Sequence, residues 1–215
     1  MQSKHCYSGT DVLINKFNVR DQDQLDVYET AYTHKRISEL GIKPLYGKFD
    51  LPHLTKIHTY IFQDLYNFAG TLRSENISKG FFSFADARYL ESEAKVLFEN
   101  LKKENYLKGL DHNAFSERAA HYLAEINVLH PFREGNGRTQ RELIRTLGLN
   151  AGYQIDWSKV TKEQLLNATI KSVVDTKELE QIMGKVVVNQ EPNKHLIRFY
   201  KNQDNSRKRE LFLER

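Results

Sequence analysis

Apolar residues recur at helical spacing along most of this chain, and this periodicity constrains the fold more than any other feature of the sequence. A spacing of three to four residues places apolar side chains on one face of a helix, where they can pack against other helices. The pattern predicts helices over about residues 21–40, 50–70, 86–103 and 113–129, and a further helix after the glycine-rich stretch 135–137. We therefore expect an all-α fold, a helical bundle.

Shorter signals predict the starts of further elements. Thr161 with Gln164, and Asp175 with Glu178, have the spacing of capping boxes and predict two more helices. Residues 72–84 instead alternate around a glycine, the pattern of a short β-hairpin. The expected bundle thus carries one hairpin.

The apolar pattern fades from about Asn189, which marks the expected end of the core. Residues 191–215 are predicted to be a charged C-terminal tail or linker, although the last of them could also form a charged helix. No stretch approaches the roughly 18 apolar residues that a membrane span needs, so no membrane partner is expected. The single cysteine, Cys6, cannot form an internal disulfide, which fits a reducing cytoplasm. A chain injected into the cytoplasm of another cell would look the same.

The formal net charge of +4 comes from 32 basic and 28 acidic residues that are interspersed along the chain. This mixture is typical of a solvated surface. A basic nucleic-acid-binding module is the alternative, but the aromatic residues fall at core spacing and no predicted helix is uniformly basic on one face. We therefore expect no direct nucleic-acid partner.

One segment between two predicted helices carries the signals of chemistry, His130–Arg141, with the sequence HPFREGNGRTQR. Gly135 and Gly137 let the backbone approach a ligand, and the free N–H groups at the start of a helix attract anions. Arg138 and Arg141 are three residues apart, so they project on one side. Because guanidinium groups match phosphate oxygens, the segment predicts a polyphosphate site.

Two further side chains give this site a possible reaction. Glu134 would be out of place in a simple anion site, and Mg²⁺ accounts for it, because magnesium is commonly held by one or two carboxylates together with substrate phosphates. His130 can accept a proton near neutral pH. Each residue alone has an ordinary structural explanation, and only their conjunction at this spacing predicts an active site.

The segment His130–Arg141 resembles the full signature of Fic-domain adenylyltransferases, H-P-F-x-[DE]-G-N-G-R-x-x-R, without departure. Residues 68–85 are similar to the family's flap, a hairpin that clamps a target segment. Residues 7–13 and 151–157 also resemble family segments. The resemblance covers roughly residues 5–190 and implies a Fic domain of that extent, a helical bundle with a short β-hairpin flap near the active site.

The resemblance also implies roles for residues at the matched positions. His130 would be the general base that deprotonates the target hydroxyl, and Glu134 would hold the cofactor Mg²⁺. The residues that would bind the ATP phosphates are Gly135, Asn136, Gly137, Arg138 and Arg141. The flap residues that would dock the target are Ile77, Lys79 and Phe84.

The implied function is that of a protein adenylyltransferase, which transfers AMP from ATP to a Tyr, Thr or Ser hydroxyl of a target protein and releases pyrophosphate. Similar members modify type II topoisomerase subunits or, as secreted effectors, host GTPases. The expected location is therefore the bacterial cytoplasm or a host cell.

Family members of this type are inhibited by a separate small protein, an antitoxin, and others by an internal helix with the pattern [S/T]-x-x-x-E-[G/N]. The one match in this chain, residues 71–76, lies at the start of the predicted hairpin and not on a helix. We therefore expect an inhibitor in trans.

Other readings stay open. Fic-like kinases carry Lys where this chain has Gly137, and phosphocholine transferases depart from the signature elsewhere. A catalytically inactive Fic scaffold or a non-catalytic basic binding module are the remaining alternatives.

Overall fold

The computed structural model describes residues 3–80 and 82–213, with side chains through residue 204. These residues form eight α-helices and one two-stranded antiparallel hairpin, which confirms the predicted all-α bundle with a short hairpin. The elements are α1 (Gln22–Ile42), α2 (Leu51–Phe62), β1 (Ser78–Lys79), β2 (Phe82–Ser83), α3 (Leu90–Lys103), α4 (His112–Leu129), α5 (Asn136–Ala151), α6 (Lys162–Lys171), α7 (Lys177–Val186) and α8 (Lys194–Leu213). Within these ranges no helix has the length and apolar character needed to cross a bilayer.

Helix α2 is shorter than its apolar pattern predicted. It begins where expected, because the Asp50 carboxylate accepts a hydrogen bond of 2.9 Å from His53 N. It ends at Phe62 and not near residue 70. Leu65 and Tyr66 remain buried, but Leu65 lies in a turn after the helix and Tyr66 in the irregular segment that follows. The apolar spacing therefore predicted the burial of these residues correctly and their backbone conformation wrongly.

The two predicted capping boxes have different outcomes. At the start of α6, Gln164 N donates to Thr161 Oγ1 at 3.1 Å and Thr161 N donates to Gln164 Oε1 at 2.9 Å, so this box is confirmed. The box at Asp175 and Glu178 is wrong. Asp175 accepts from Lys177 N at 3.0 Å, and α7 begins at that lysine. The Glu178 carboxylate instead forms an ion pair with Lys171 on α6.

Helices α4 and α5 lie at the centre of the core. Phe115, Ala119, Tyr122 and Ile126 of α4 are completely buried. Helix α5 is buried around most of its circumference, because it packs against α2, α4 and α8. The segment that joins α4 to α5 is therefore held at both ends by the best-packed helices of the molecule.

Helix α8 shows the helical alternative that the sequence left open for the C-terminal end. Its Tyr200 is fully buried, with ring centroids 5.2 Å from Tyr46 and 5.7 Å from Phe49. Gly47 N donates to the Tyr200 hydroxyl at 3.4 Å. The first half of this helix thus belongs to the packed part of the chain, while the domain boundary near residue 190 stays a prediction.

Candidate active site

The loop between α4 and α5 turns sharply within six residues, and two left-handed residues make the turn. His130 follows α4 with φ 43° and ψ 61°, and Gly135 precedes α5 with φ 79°. A Cβ on Gly135 would lie 2.1 Å from Phe62 Cζ, so this position tolerates only glycine. The close contact with α2 fixes the place where α5 begins.

The side chain of Asn136 holds the loop together. Phe132 N donates to Asn136 Oδ1 at 2.9 Å, and Asn136 Nδ2 donates to Phe132 O at 2.8 Å. Both residues are buried. The side-chain oxygen and one of the two amide hydrogens of Asn136 are therefore engaged by the loop, which fixes the orientation of this side chain at the start of α5.

His58 of α2 braces the same loop, and the sequence analysis missed it. Gly70 N donates to His58 Nδ1 at 2.8 Å, so the proton is on Nε2, which donates to Glu134 O at 2.9 Å. Burial lowers the pKa of His58 to about 4, which keeps the ring neutral. The ring also stacks on Phe132, with centroids 3.9 Å apart. A histidine on the apolar face of a predicted helix was the available signal.

His130 is arranged as a proton acceptor. Its Nδ1 donates to Asn127 O at 3.1 Å, which leaves the lone pair of Nε2 unprotonated. Burial is the main cause that lowers the pKa of His130 to about 4, and the charges of Arg73 and Lys79 add to it. Phe84 stacks on the ring with centroids 3.8 Å apart. The imidazole is therefore neutral at physiological pH and covered by the flap.

Arg73 joins the base of the flap to the loop between α4 and α5, and no sequence signal identified it. Its backbone N donates to Pro131 O at 2.9 Å and its Nε to His130 O at 2.7 Å. Its other nitrogens donate to carbonyls on both sides of the flap, those of Glu75 and Ala85. One buried guanidinium thus holds the flap and His130 in a fixed relation.

The two arginines of the signature have different surroundings. Arg138 Nη2 donates to Glu29 Oε1 at 2.6 Å and lies 3.5 Å from Glu134 Oε1. Arg141 has no carboxylate partner among the residues described. Burial and the charge of Arg138 lower the pKa of Arg141. An unpartnered, partly buried cation beside the start of α5 attracts anions.

One cavity of about 1400 Å³ joins these groups to the flap. It is lined by eight of the ten candidate site residues: Ile77, Lys79, Phe84, His130, Glu134, Asn136, Gly137 and Arg141. The other two do not line it but contact Glu134: Gly135 N donates to Glu134 Oε1 at 2.8 Å, and Arg138 Nη2 lies 3.5 Å from the same oxygen. The structure thus brings eight of the predicted site residues, which come from two distant segments of the sequence, around a single space.

Glu134 fits a magnesium ion only in combination with a substrate. Its carboxylate is 42% exposed, and Oε1 accepts from Gly135 N at 2.8 Å. Over residues 3–80 and 82–213, no group of three or more His, Cys, Asp and Glu side chains is placed to hold a metal. One carboxylate completed by phosphate oxygens and waters is an ordinary coordination for Mg²⁺.

Comparisons with known proteins agree with this geometry. The profile of the Fic/DOC family matches residues 48–147. The chain is 39% identical over 184 residues to the probable protein adenylyltransferase Fic of Escherichia coli, a match that covers 85% of this chain and 91% of that protein. It is 44% identical over 170 residues to the protein adenylyltransferase VbhT of Bartonella schoenbuchensis. That match covers 79% of this chain but only 36% of VbhT.

Two solved structures share the fold. BepC of Bartonella tribocorum, solved with bound AMPPNP, superposes with a TM-score of 0.81 at 28% identity, covering 87% of this chain and 97% of BepC. An N-terminal Fic domain of Bartonella quintana with bound ADP gives a TM-score of 0.82 at 28% identity, covering 90% and 97%. The described fold, the intact signature and these likenesses lead to one conclusion: the chain belongs to the Fic/DOC family.

Proposed function

We propose that this chain is a protein adenylyltransferase that transfers AMP from ATP to a Tyr, Thr or Ser hydroxyl of another protein. The observation that carries the proposal is the shared cavity, in which the unprotonated Nε2 of His130, the start of α5 and the flap meet. The names of the E. coli and B. schoenbuchensis relatives support it, as do the bound AMPPNP and ADP of the two matching structures.

The reaction would be an in-line displacement at the α-phosphorus of ATP. The target hydroxyl attacks phosphorus while His130 Nε2 takes its proton, so that a new O–P bond forms to AMP. The bond between the α-phosphorus and its bridging oxygen breaks, and pyrophosphate leaves with the electron pair. Arg138, Arg141 and the backbone N–H groups at the start of α5 would stabilise the charge on the leaving group.

Magnesium is part of this proposal through Glu134. When bound, the ion would neutralise part of the charge of the phosphates. Glu134 would contribute the carboxylate from within the cavity, at a point where its Oε1 now accepts only the Gly135 N–H and faces Arg138. Its partial exposure leaves it free to turn toward a cation.

The first prediction separates adenylyl transfer from the alternatives. With the isolated chain and a cell lysate, α-labelled ATP should label protein and γ-labelled ATP should not. A kinase would give the opposite result, and a binding module would label nothing. His130→Ala should lower the labelling about 10²–10⁴-fold while ATP still binds, because the base acts on the target hydroxyl.

The pH dependence follows from the low pKa of His130. The base is active when unprotonated, so transfer should be constant through neutral pH and fall only as the pH approaches about 4. A decline centred near pH 6.5 would contradict the lowered pKa of His130. A His130→Ala variant with near-normal activity would contradict the general-base role.

The second prediction concerns the metal. Transfer should disappear with a chelator and return with Mg²⁺. Glu134→Gln should lose more than about tenfold in activity, whereas Glu134→Asp, which keeps the carboxylate, should retain more. A second measurement is independent of turnover: the affinity of magnesium for the protein bound to α,β-methylene ATP, an analogue that cannot be cleaved at the α–β bridge. A magnesium affinity of Glu134→Gln equal to that of the original chain would remove Glu134 from the metal site.

We further propose that the flap docks the target by strand addition, with Ile77, Lys79 and Phe84 around the docked segment. Phe84 N donates to Ile77 O at 3.2 Å, so the next pair, Ser78 and Ser83, points its backbone polar groups away from the hairpin. Of these two serines only Ser78 lines the cavity. The outer edge of β1 is therefore the edge that a target strand would extend.

The third prediction tests this edge. Ser78→Pro removes one outward N–H donor and should lower target modification about tenfold, with ATP binding unchanged. Ser78→Ala, which keeps the backbone donor, is the matched control and should behave like the original chain. If both variants are equally active, docking through the β1 edge is the wrong account.

The identity of the partners belongs to the same proposal. A topoisomerase subunit or a host GTPase is the proposed target, and a small antitoxin is the proposed inhibitor. Glu75 is the glutamate of the internal inhibitory pattern at residues 71–76. Its carboxylate accepts hydrogen bonds from Ser3 Oγ at 2.9 Å and Lys4 N at 3.3 Å and not from an arginine of the signature, which supports an inhibitor in trans. Delivery into a host cell rests on the description of the two Bartonella proteins as VirB-translocated effectors.

The fourth prediction is that Glu75→Gly changes the activity of the isolated chain less than about threefold. Glu75 is the glutamate of the rejected inhibitory pattern, and it lies in an irregular segment, not in a helix. Labelling from α-labelled ATP is the measurement, with melting temperature as the control for the lost contact to Ser3. A large gain in activity would identify Glu75 as an internal inhibitor and would make a separate one unnecessary.

A further inference from the structure

Arg138 is held by residues that lie far outside the signature. Glu29 of α1 accepts from its Nη2 at 2.6 Å, and Arg138 Nη1 donates to Thr33 Oγ1 at 3.4 Å. The guanidinium carbon lies 4.9 Å from the centre of the Phe62 ring. The ion pair is well shielded, since the Arg138 and Glu29 side chains are 23% and 16% exposed.

Glu29 is itself held in place. The Tyr66 hydroxyl donates to Glu29 Oε2, and Tyr66 is fully buried. Burial and the nearby Glu29 raise the pKa of Tyr66, so the hydroxyl stays a donor. Thr33 Oγ1 donates to the backbone carbonyl of Glu29 at 2.7 Å, one turn back in the helix. Both oxygens of the carboxylate therefore have assigned partners.

A carboxylate beside a polyphosphate site requires an explanation, because it repels the nucleotide. Glu29 could act as a brake that competes with phosphate, or it could hold Arg138 in position. Its place favours the second role. Glu29 does not line the cavity, whereas Glu134, which lies 3.5 Å from the same Arg138 Nη2, does. Glu29 thus binds the guanidinium from outside the cavity and occupies only one of its nitrogens.

We propose that Glu29 is a positioning residue that holds Arg138 against the leaving pyrophosphate, an inference that rests on the proposed function. A released arginine keeps its charge, so the attraction for ATP in the ground state persists. The alignment with the leaving group, where charge develops in the transition state, is lost. The effect should therefore fall on kcat and not on the KM for ATP.

The test compares two Glu→Gln substitutions on helix α1. Glu29→Gln should lower kcat about tenfold, with the KM for ATP within about threefold. Glu39→Gln is the matched control, because Glu39 also accepts from an arginine, Arg36 at 3.0 Å, and from a tyrosine hydroxyl, Tyr60 at 2.8 Å. It should leave both constants within about twofold while losing comparable stability.

A second measurement does not depend on turnover. In ³¹P spectra of bound α,β-methylene ATP, Glu29→Gln should shift the β-phosphorus signal and Glu39→Gln should not. Failure of the original chain to transfer AMP would reject the proposed function, and the spectra would still decide the role of Glu29.

Four results would overturn the inference. Higher activity in Glu29→Gln would make Glu29 a brake, and a higher KM with unchanged kcat would make it a binding residue. Equal loss in both variants would make its role purely structural. Identical ³¹P spectra would show that it does not position Arg138 against the phosphates.

Discussion

The Phe62 ring is the surface on which the site is assembled. Gly135 lies against one part of it so closely that no side chain fits there, and the ring stacks with His58 at 4.7 Å. The same ring lies under the Arg138 guanidinium. Phe62 is fully buried at the end of α2, where removal of a phenylalanine typically costs about 3–5 kcal/mol of folding stability. The turn into α5, the brace of the loop and the guanidinium of Arg138 therefore share one hydrophobic support.

His58, which is buried, and His130, which is partly buried, use their ring nitrogens in opposite ways. His58 donates to the loop through Nε2, while His130 keeps Nε2 free and donates through Nδ1. In both, burial lowers the pKa from 6.5 to about 4. The unfolded chain therefore binds protons more readily than the folded chain in this range, so folding stability is lost as the pH falls from about 6.5 toward 4. Both His130 and His58 are therefore neutral for the same reason, the exclusion of water from their rings.

The sequence predicted what depends on local spacing. Helical periodicity located α1 to α5, and the signature located the loop and the arginines. It placed the end of α2 wrongly, because Leu65 continues the helical spacing of buried residues although it lies in a turn. It also missed the three residues that hold the site from outside. Glu29 is 109 residues from Arg138, His58 is 76 from Glu134 and Arg73 is 57 from His130, and such pairings are set by tertiary packing.

The hairpin has only two residue pairs, too few to be stable as an isolated sheet. Its order comes from Arg73, which holds the carbonyls at both ends of the flap and that of His130 with the same guanidinium. Moving the flap therefore breaks hydrogen bonds of the guanidinium that also holds the His130 backbone, and moving that backbone does the same for the flap. This coupling is reciprocal: whatever stabilises the observed flap position favours the observed position of the His130 backbone by the same coupling free energy, and the reverse holds equally.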